Sequence, residues 1–373
     1  MKIPNGYEVI QLFESFSPKY LAEDGDPIGL QVGTLSKKIS KVLIALDVTE
    51  DVVDEAIAGG ADMILAHHPF IFRPLKKIDF SHPHGRVIEK LIKHDITLYA
   101  AHTNLDVAEG GVNDMLAEAL GLQNLTVLAP TYREGLKKLA VYVPAEAEEK
   151  VREALAQAGA GHLGHYSHCS FSAEGIGRFK PDEHANPHIG AEGKLEAVQE
   201  VKVEVVVPEP LANKVVRAML NAHPYEEVAY DLYTLDNQGD KELGLGRVGM
   251  LPETMTLREF AEKVKMAFDV KTVRVTGDLT AQIKKVAVLG GTGDKFVRTA
   301  QFKGADVFVT GDIYYHTAVD FKEEGMNIID PGHNVEKIMK KGVASKMDAL
   351  CKTAGFEMEW SASIIDTDPF QVI

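Results

Sequence analysis

Apolar runs of strand length alternate with stretches of helical period along much of this chain, and the alternation repeats itself. Lys41 to His68, "KVLIALDVTEDVVDEAIAGGADMILAHH", aligns without gaps to Lys285 to Asp312, "KVAVLGGTGDKFVRTAQFKGADVFVTGD". In each copy a β-branched run leads into a helical-period stretch, a turn at Gly-Ala-Asp and a second apolar run, which predicts a βαβ unit. Further alternation follows both copies: Val87 to Lys93 then Ile96 to Ala101, and His316 to Glu324 then Met326 to Ile329. Two similar βαβ-containing halves predict an α/β fold with a largely parallel sheet.

A different pair lies between the halves. Val143 to Ala158 aligns with Val207 to Ala222, sharing Val-Pro, Lys-Val and Ala, and strand-like runs flank each copy. A strand–helix–strand unit occurring twice predicts an inserted α+β module of ferredoxin-like type. Turn-rich "LAPTYREG" and polar, Gly-rich "DNQGDKELGLG" mark its ends. The expected organisation is therefore one discontinuous domain, residues 1–128 and 240–373, with a module at 129–239.

Composition narrows the function classes. The chain has 373 residues, 45% hydrophobic and 25% charged, as expected of a folded globular protein. A formal charge of −15 with no Lys/Arg cluster argues against nucleic acid or an anionic membrane as a partner. No apolar run reaches the ~18 residues of a membrane span, and there is no leader-like start. Two cysteines, Cys169 and Cys351, supply neither a disulfide framework nor a thiolate metal site, which fits the cytoplasm.

The candidate chemistry gathers at the ends of the expected strands. "ILAHHPF" puts His67 and His68 at the end of one strand, "HTNLD" puts His102 and Asp106 after the next, and "PGHNVEK" puts His333 and Glu336 after the last. Ligands of open α/β sheets bind outside the carboxyl ends of the strands. His333 and Glu336, three apart at the start of an expected helix, can act as a unit, and Gly332 permits close backbone approach. Imidazole with carboxylate suits zinc, iron or manganese. His67, His68, Asp106, His333 and Glu336 together exceed the needs of one tetrahedral ion with an open position. They suit two divalent ions ~3.5–4 Å apart sharing a carboxylate. His102 is a candidate for orienting a ligand from behind, and His316 for carrying protons beside the metals.

Other signals carry less. "GGTGDKF" at Gly290 to Phe296 has neither the third glycine of a dinucleotide fingerprint nor the Lys-Ser/Thr of a P-loop, so it reads as a tight turn, with a phosphate cradle as the alternative. His223 and Glu226 read as polar residues of a turn, and His162, His165, His168, His184 and His188 show no ligand spacing.

"GLQVG" at Gly29 to Gly33, "ILAHHPF", "HTNLD", "GRVG" at Gly246 to Gly249 and "GH" followed by Glu336 resemble, in that order, the NIF-three-like family, often labelled type-two GTP cyclohydrolase homologues. The resemblance covers the whole discontinuous domain, and the middle module is similar to the extra domain of longer bacterial members. It implies a two-metal site at the positions just derived and a toroidal homohexamer with sites facing an internal cavity. The expected function is that of a metal-dependent hydrolase acting on a nucleotide or other phosphate-containing small molecule. A metal-dependent regulatory or adaptor protein, with a small-molecule-sensing module, is the alternative.

Overall fold

The computed structural model describes residues 2–373. The chain forms two compact units, one made of the residues up to Tyr132 together with Leu243–Ile373, the other of Arg133–Glu242. The first is a mixed α/β body. The repeated strands of its two halves lie in different sheets, where the repeat alone suggested one sheet. In the first sheet, strands of the N-terminal half run in the order Gly29–Val32, Thr97–Ala100, Met63–Ala66 and Lys41–Ala45, and Glu359–Ala362 from the second half adds beside Lys41–Ala45, all parallel except the first. In the other, Gln282–Thr292, Val307–Gly311 and Asn327–Asp330 are parallel neighbours, and Arg274–Thr276 closes the edge antiparallel to Asn327–Asp330.

Burial on both faces explains why these strands read as unbroken apolar runs. Val42, Ile44, Met63 and Leu65 of one sheet and Val286, Val288, Val307 and Val309 of the other join one core with Phe13, Leu116, Phe260, Met339 and Met347 of the intervening helices. The opposite faces pack on separate helices: Leu43, Ile64 and Leu98 against Val52, Val53, Val87 and Leu91, and Ala287, Phe308 and Ile328 against Val297, Ala300 and Phe321.

The recurring Gly-Ala-Asp triplet has the same task in both halves. Asp62 accepts from the backbone N–H of Ser40 (2.7 Å) and Lys41 (3.0 Å), and Asp306 accepts from those of Lys284 (2.9 Å) and Lys285 (2.7 Å). A carboxylate at the start of one strand thus ties down the start of its neighbour, and the glycine two residues earlier, Gly60 or Gly304, takes the positive φ that ends the helix (+66° and +71°).

The second unit runs strand, helix, strand, strand, helix, strand, with Phe171–Phe179 at the edge, Glu196–Pro208 next, then the strands that enter and leave the unit. Its helices, Glu148–Gln157 and Ala212–Ala222, are the two copies of the inner repeat; in both, a proline (Pro144, Pro208) ends the strand and a single 3₁₀ turn precedes the helix. No helix among the described residues is long and apolar enough to cross a membrane.

Candidate metal centre

His67 and His68 follow the strand Met63–Ala66 directly, and their backbone N–H groups continue its ladder to Ala45 O (3.0 Å) and Leu46 O (2.9 Å). Pro69 biases His68 towards extended backbone and ends the run. After Thr97–Ala100 the chain turns into a five-residue helix, Thr103–Val107, capped by His102, so that His102 and Asp106, four apart, share a side. On the other half, Gly332 (φ +88°) turns the chain out of Asn327–Asp330 into His333–Lys337. That segment is a 3₁₀ turn, where the sequence pattern suggested the first turn of an α-helix. With three residues per turn, positions i and i+3 eclipse, which is why a spacing of three suffices to put His333 and Glu336 together.

Side chains from all these places converge. Glu336 Oε2 lies 3.0 Å from His68 Nε2, 3.2 Å from His333 Nε2 and 3.8 Å from His67 Nε2. Asp106 Oδ1 stands 3.5 Å from His67 Nε2. Three groupings could each hold an ion: His67, Asp106 and Glu336; His68, His333 and Glu336; and His67, His68 and His102. His102 therefore belongs in the cluster itself, its ring centroid 5.3 Å from that of His67. His316 does not: it is exposed on the helix Tyr315–Glu323, with the Tyr315 ring edge-on beside it.

Behind each imidazole an oxygen holds Nδ1. Ala101 O serves His67 (2.9 Å), Asp47 serves His68 (2.7 Å), Asp26 serves His102 (2.9 Å) and Asp312 serves His333 (2.7 Å). With Nδ1–H donated outward, the lone pair of each Nε2 is left for the centre, the arrangement by which proteins orient imidazole ligands. Asp47 is held in turn by Thr367 Oγ1 (2.5 Å), and Asp312 by Thr292 Oγ1 (2.6 Å). The sequence reading passed over Asp26 and Asp47; the signal for Asp47 was its place just past the strand Lys41–Ala45, the same rule that found the histidines. Asp312 is the repeat equivalent of His68.

The donors fit a divalent cation. His67 is fully buried and Asp106 nearly so, yet His67 Nε2 and Asp106 Oδ1 have no hydrogen-bond partner. Such orphaned groups are costly. Two ligands each ~2.1 Å from a shared tetrahedral ion stand ~3.4 Å apart, close to the separation seen here. The electrostatics agree. Burial works against charge on His68, but hydrogen bonds to Asp47 and Glu336 outweigh it and raise its pKa to about 10. The Glu336 hydrogen bond, opposed by burial, raises His333 to about 9. Burial would raise Glu336, but the three imidazoles hold it well below the carboxylate range. Burial lifts Asp106 to about 6. The pocket thus attracts positive charge, and protons and metal ions compete for the same nitrogens.

The glycine loop is a wall of this centre. A Cβ on Gly291 would lie 2.7 Å from Glu336 Oε1, and one on Gly290 3.0 Å away, so the glycines admit the carboxylate. Asn113, 1% exposed, ties this wall to the other half: its Nδ2 donates to Asp106 O and its Oδ1 accepts from Gly290 N, both at 3.0 Å. Asn113→Ala leaves both backbone groups unpaired. It is expected to cost about 2–4 kcal/mol and to weaken metal binding ~10-fold in competition with a chelator. Unchanged affinity would make Asn113 a bystander.

Paired βαβ halves that converge imidazoles and carboxylates at their strand ends define an α/β protein with a cluster of side chains between its halves that could hold a metal ion. Residues 4–369 match the Duf34/NIF3 (NGG1p interacting factor 3) family, and the chain belongs to that family. It is 59% identical over 373 residues to a protein of Halalkalibacterium halodurans and 58% identical over 369 residues to one of Bacillus subtilis, each named GTP cyclohydrolase 1 type 2 homolog. The match covers all of this chain and of the first relative, and 99% of this chain and of the second. A Bacillus cereus protein related to NIF3, known from its crystal structure, superposes with a TM-score of 0.93 at 57% identity, covering 100% of both chains.

Proposed function

We propose that this protein is a metal-dependent hydrolase whose centre takes two divalent cations, zinc, iron or manganese, and acts on a nucleotide or other phosphate-containing small molecule. The observation that carries the reading is the Glu336 carboxylate, within 3.8 Å of three imidazole Nε2 atoms. His67 and Asp106 would share it around one ion, His68 and His333 around the other, with His102 beside the first. Divalent ions so held polarise a substrate oxygen and lower the pKa of water. Asp26, Asp47, Asp312 and Ala101 O keep the imidazoles aimed, and burial of Glu336 and Asp106 keeps competing water away. A cleft of about 680 Å³ opens beside Asp47, His68 and Phe70, within the range of small-molecule sites. Two of the carboxylates in its wall are paired, Glu50 with Arg86 (2.6 Å) and Asp54 with Lys90 (2.7 Å), which lessens the repulsion an anionic substrate would meet.

The names of the relatives make GTP the first substrate to try. Protein loaded with zinc, manganese or iron should convert GTP or another member of a nucleotide panel, lose the activity on chelation and regain it with the same ion. No turnover by fully loaded protein would favour the alternative, a metal-dependent regulatory or adaptor protein. The strand order of the inserted unit, which suits a ferredoxin-like sensing module, supports that second reading. Assembly as a toroidal homohexamer belongs to the same proposal. Light scattering that gives a monomer at all concentrations would remove it.

A further inference from the structure

Both helices of the unit Arg133–Glu242 cover the same face of its sheet, through Leu139, Val141, Val203 and Val205 on the strands and Val151, Leu155 and Met219 on the helices. Alternate strand positions point the other way. There, a cavity of about 940 Å³ lies between the sheet and residues 178–189, large enough for a small-molecule ligand.

Its floor is unusual for a strand. Ala173, Gly175 and Gly177 occupy successive same-face positions of the edge strand, opposite Lys202, Glu200 and Val198. Glycine weakens a strand and often marks close approach of another group. A Cβ on Gly177 would fall 2.0 Å from Glu200 Oε2, so its absence lets that carboxylate lie along the strand. Above Gly175 there is open space.

One wall is the Tyr225 ring, with Phe179 at 6.0 Å and His188 at 6.1 Å between centroids. His223 fixes the turn that carries it: Nδ1 accepts from Tyr225 N (3.1 Å) and Nε2 donates to Tyr142 O (3.0 Å), with burial favouring the neutral ring. This is the work of the histidine in "HPYEE", singled out in the sequence. Two polar groups face each other there: the Tyr225 hydroxyl, buried with no partner at normal hydrogen-bond geometry, and Glu200, which forms no ion pair among the described residues. Lys202 is already paired with Glu204 at 2.7 Å, whereas Glu174, Glu226 and Glu227 add negative charge to the lining. Arg178 and Lys180 also line the cavity but are exposed.

We propose that this cavity is a ligand site for a flat, nitrogen-rich heterocycle bearing N–H donors or a positive charge, its ring over Gly175 against Tyr225 and its N–H groups on Glu200. None of these residues belongs to the metal cluster, so the site stands whether or not the hydrolase reading holds.

The probe is proflavine, a planar cation with amino groups, titrated into the full-length protein at ~0.15 M salt, where exposed charges are largely screened, and followed by fluorescence anisotropy. Anthracene-2-sulfonate, a flat anion, is the control. Saturable proflavine binding is expected, with little binding of the anion. Glu200→Gln should weaken proflavine at least ~10-fold by removing a charge-assisted contact, and Gly175→Phe should abolish binding by filling the floor. Metal content should be unchanged in both variants. Equal binding of the anion, or proflavine affinity untouched by Glu200→Gln, overturns the proposal. So does Gly175→Phe that stays folded and binds as before, or that changes the molar mass in light scattering while binding persists, since the face would then be a contact between copies of this chain. If Gly175→Phe does not fold, the isosteric Glu200→Gln decides alone.

Discussion

Replacing Glu336 with glutamine is expected to empty the metal centre. Glutamine keeps the shape but removes the charge that faces the Nε2 atoms of His67, His68 and His333. It also presents an amide where both proposed ions need an anionic oxygen. Affinity should fall on the order of 100-fold or more, beyond the 10–100-fold typical of losing an outer partner. Elemental analysis should therefore move from about two ions per chain, the number a shared-carboxylate site takes, towards none. Asp312→Asn, which disturbs only the hydrogen bond behind His333, should produce the smaller effect. Full metal content in a folded Glu336→Gln protein would refute the bridging role, and with it the two-ion reading.

The second large effect is a divergence with pH between metal-loaded protein and protein stripped by a chelator. In the stripped chain, His68 and His333 titrate near 10 and near 9, above the ordinary imidazole value of 6.5, because Glu336 and their Asp partners favour the charged rings. A folded pKa above the unfolded one stabilises fully below pH 6.5, and that contribution is lost as pH rises through 9 to 10. Metal binding needs the same nitrogens unprotonated, so its affinity rises across the same interval. The thermal midpoint of the stripped protein should fall between pH 7 and pH 10, while that of the loaded protein falls less. Discounted for solvent screening at His333, whose side chain is 39% exposed, the lost contribution is on the order of a few kcal/mol, or several degrees at roughly 2 °C per kcal/mol for a chain of this size. Asp106, lifted to about 6, has finished titrating below this window. Parallel midpoints for the two forms would mean that the imidazoles and the metal do not share a site.

Local physics made much of this legible without coordinates. A strand buried on both faces must be apolar throughout, and a parallel neighbour must be reached through a helix, so the two copies of the βαβ pattern could be read directly. The repeated Gly-Ala-Asp marked a real device, since Asp62 and Asp306 pin the starts of neighbouring strands. Strand ends in such sheets collect ligands, and that rule points to His67, His68, Asp106, His333 and Glu336, whose side chains the structure brings together. The same rule applied to Asp47 would have found the group behind His68.

Other features depend on distances between segments far apart in the chain, and no local pattern encodes those. Periodicity gives a strand its faces but not its neighbours, so it left open whether the halves continue one sheet or build two around shared helices. A spacing of three is compatible with an α-helical or a 3₁₀ turn, and only packing selected the tighter one at His333–Lys337. His102 and His316 are both histidines just after strand ends, yet one lies in the cluster and the other is exposed. "GGTGDKF" has the look of a phosphate cradle, but Gly290 and Gly291 are set by the room that Glu336 needs, 45 residues after Gly291, and Gly293 by the Thr310 side chain. The sequence by itself determined which side chains are available and which strand ends carry them. Only the tertiary structure decided which Nε2 faces which carboxylate, because that depends on long-range packing of two separate sheets to within ångströms.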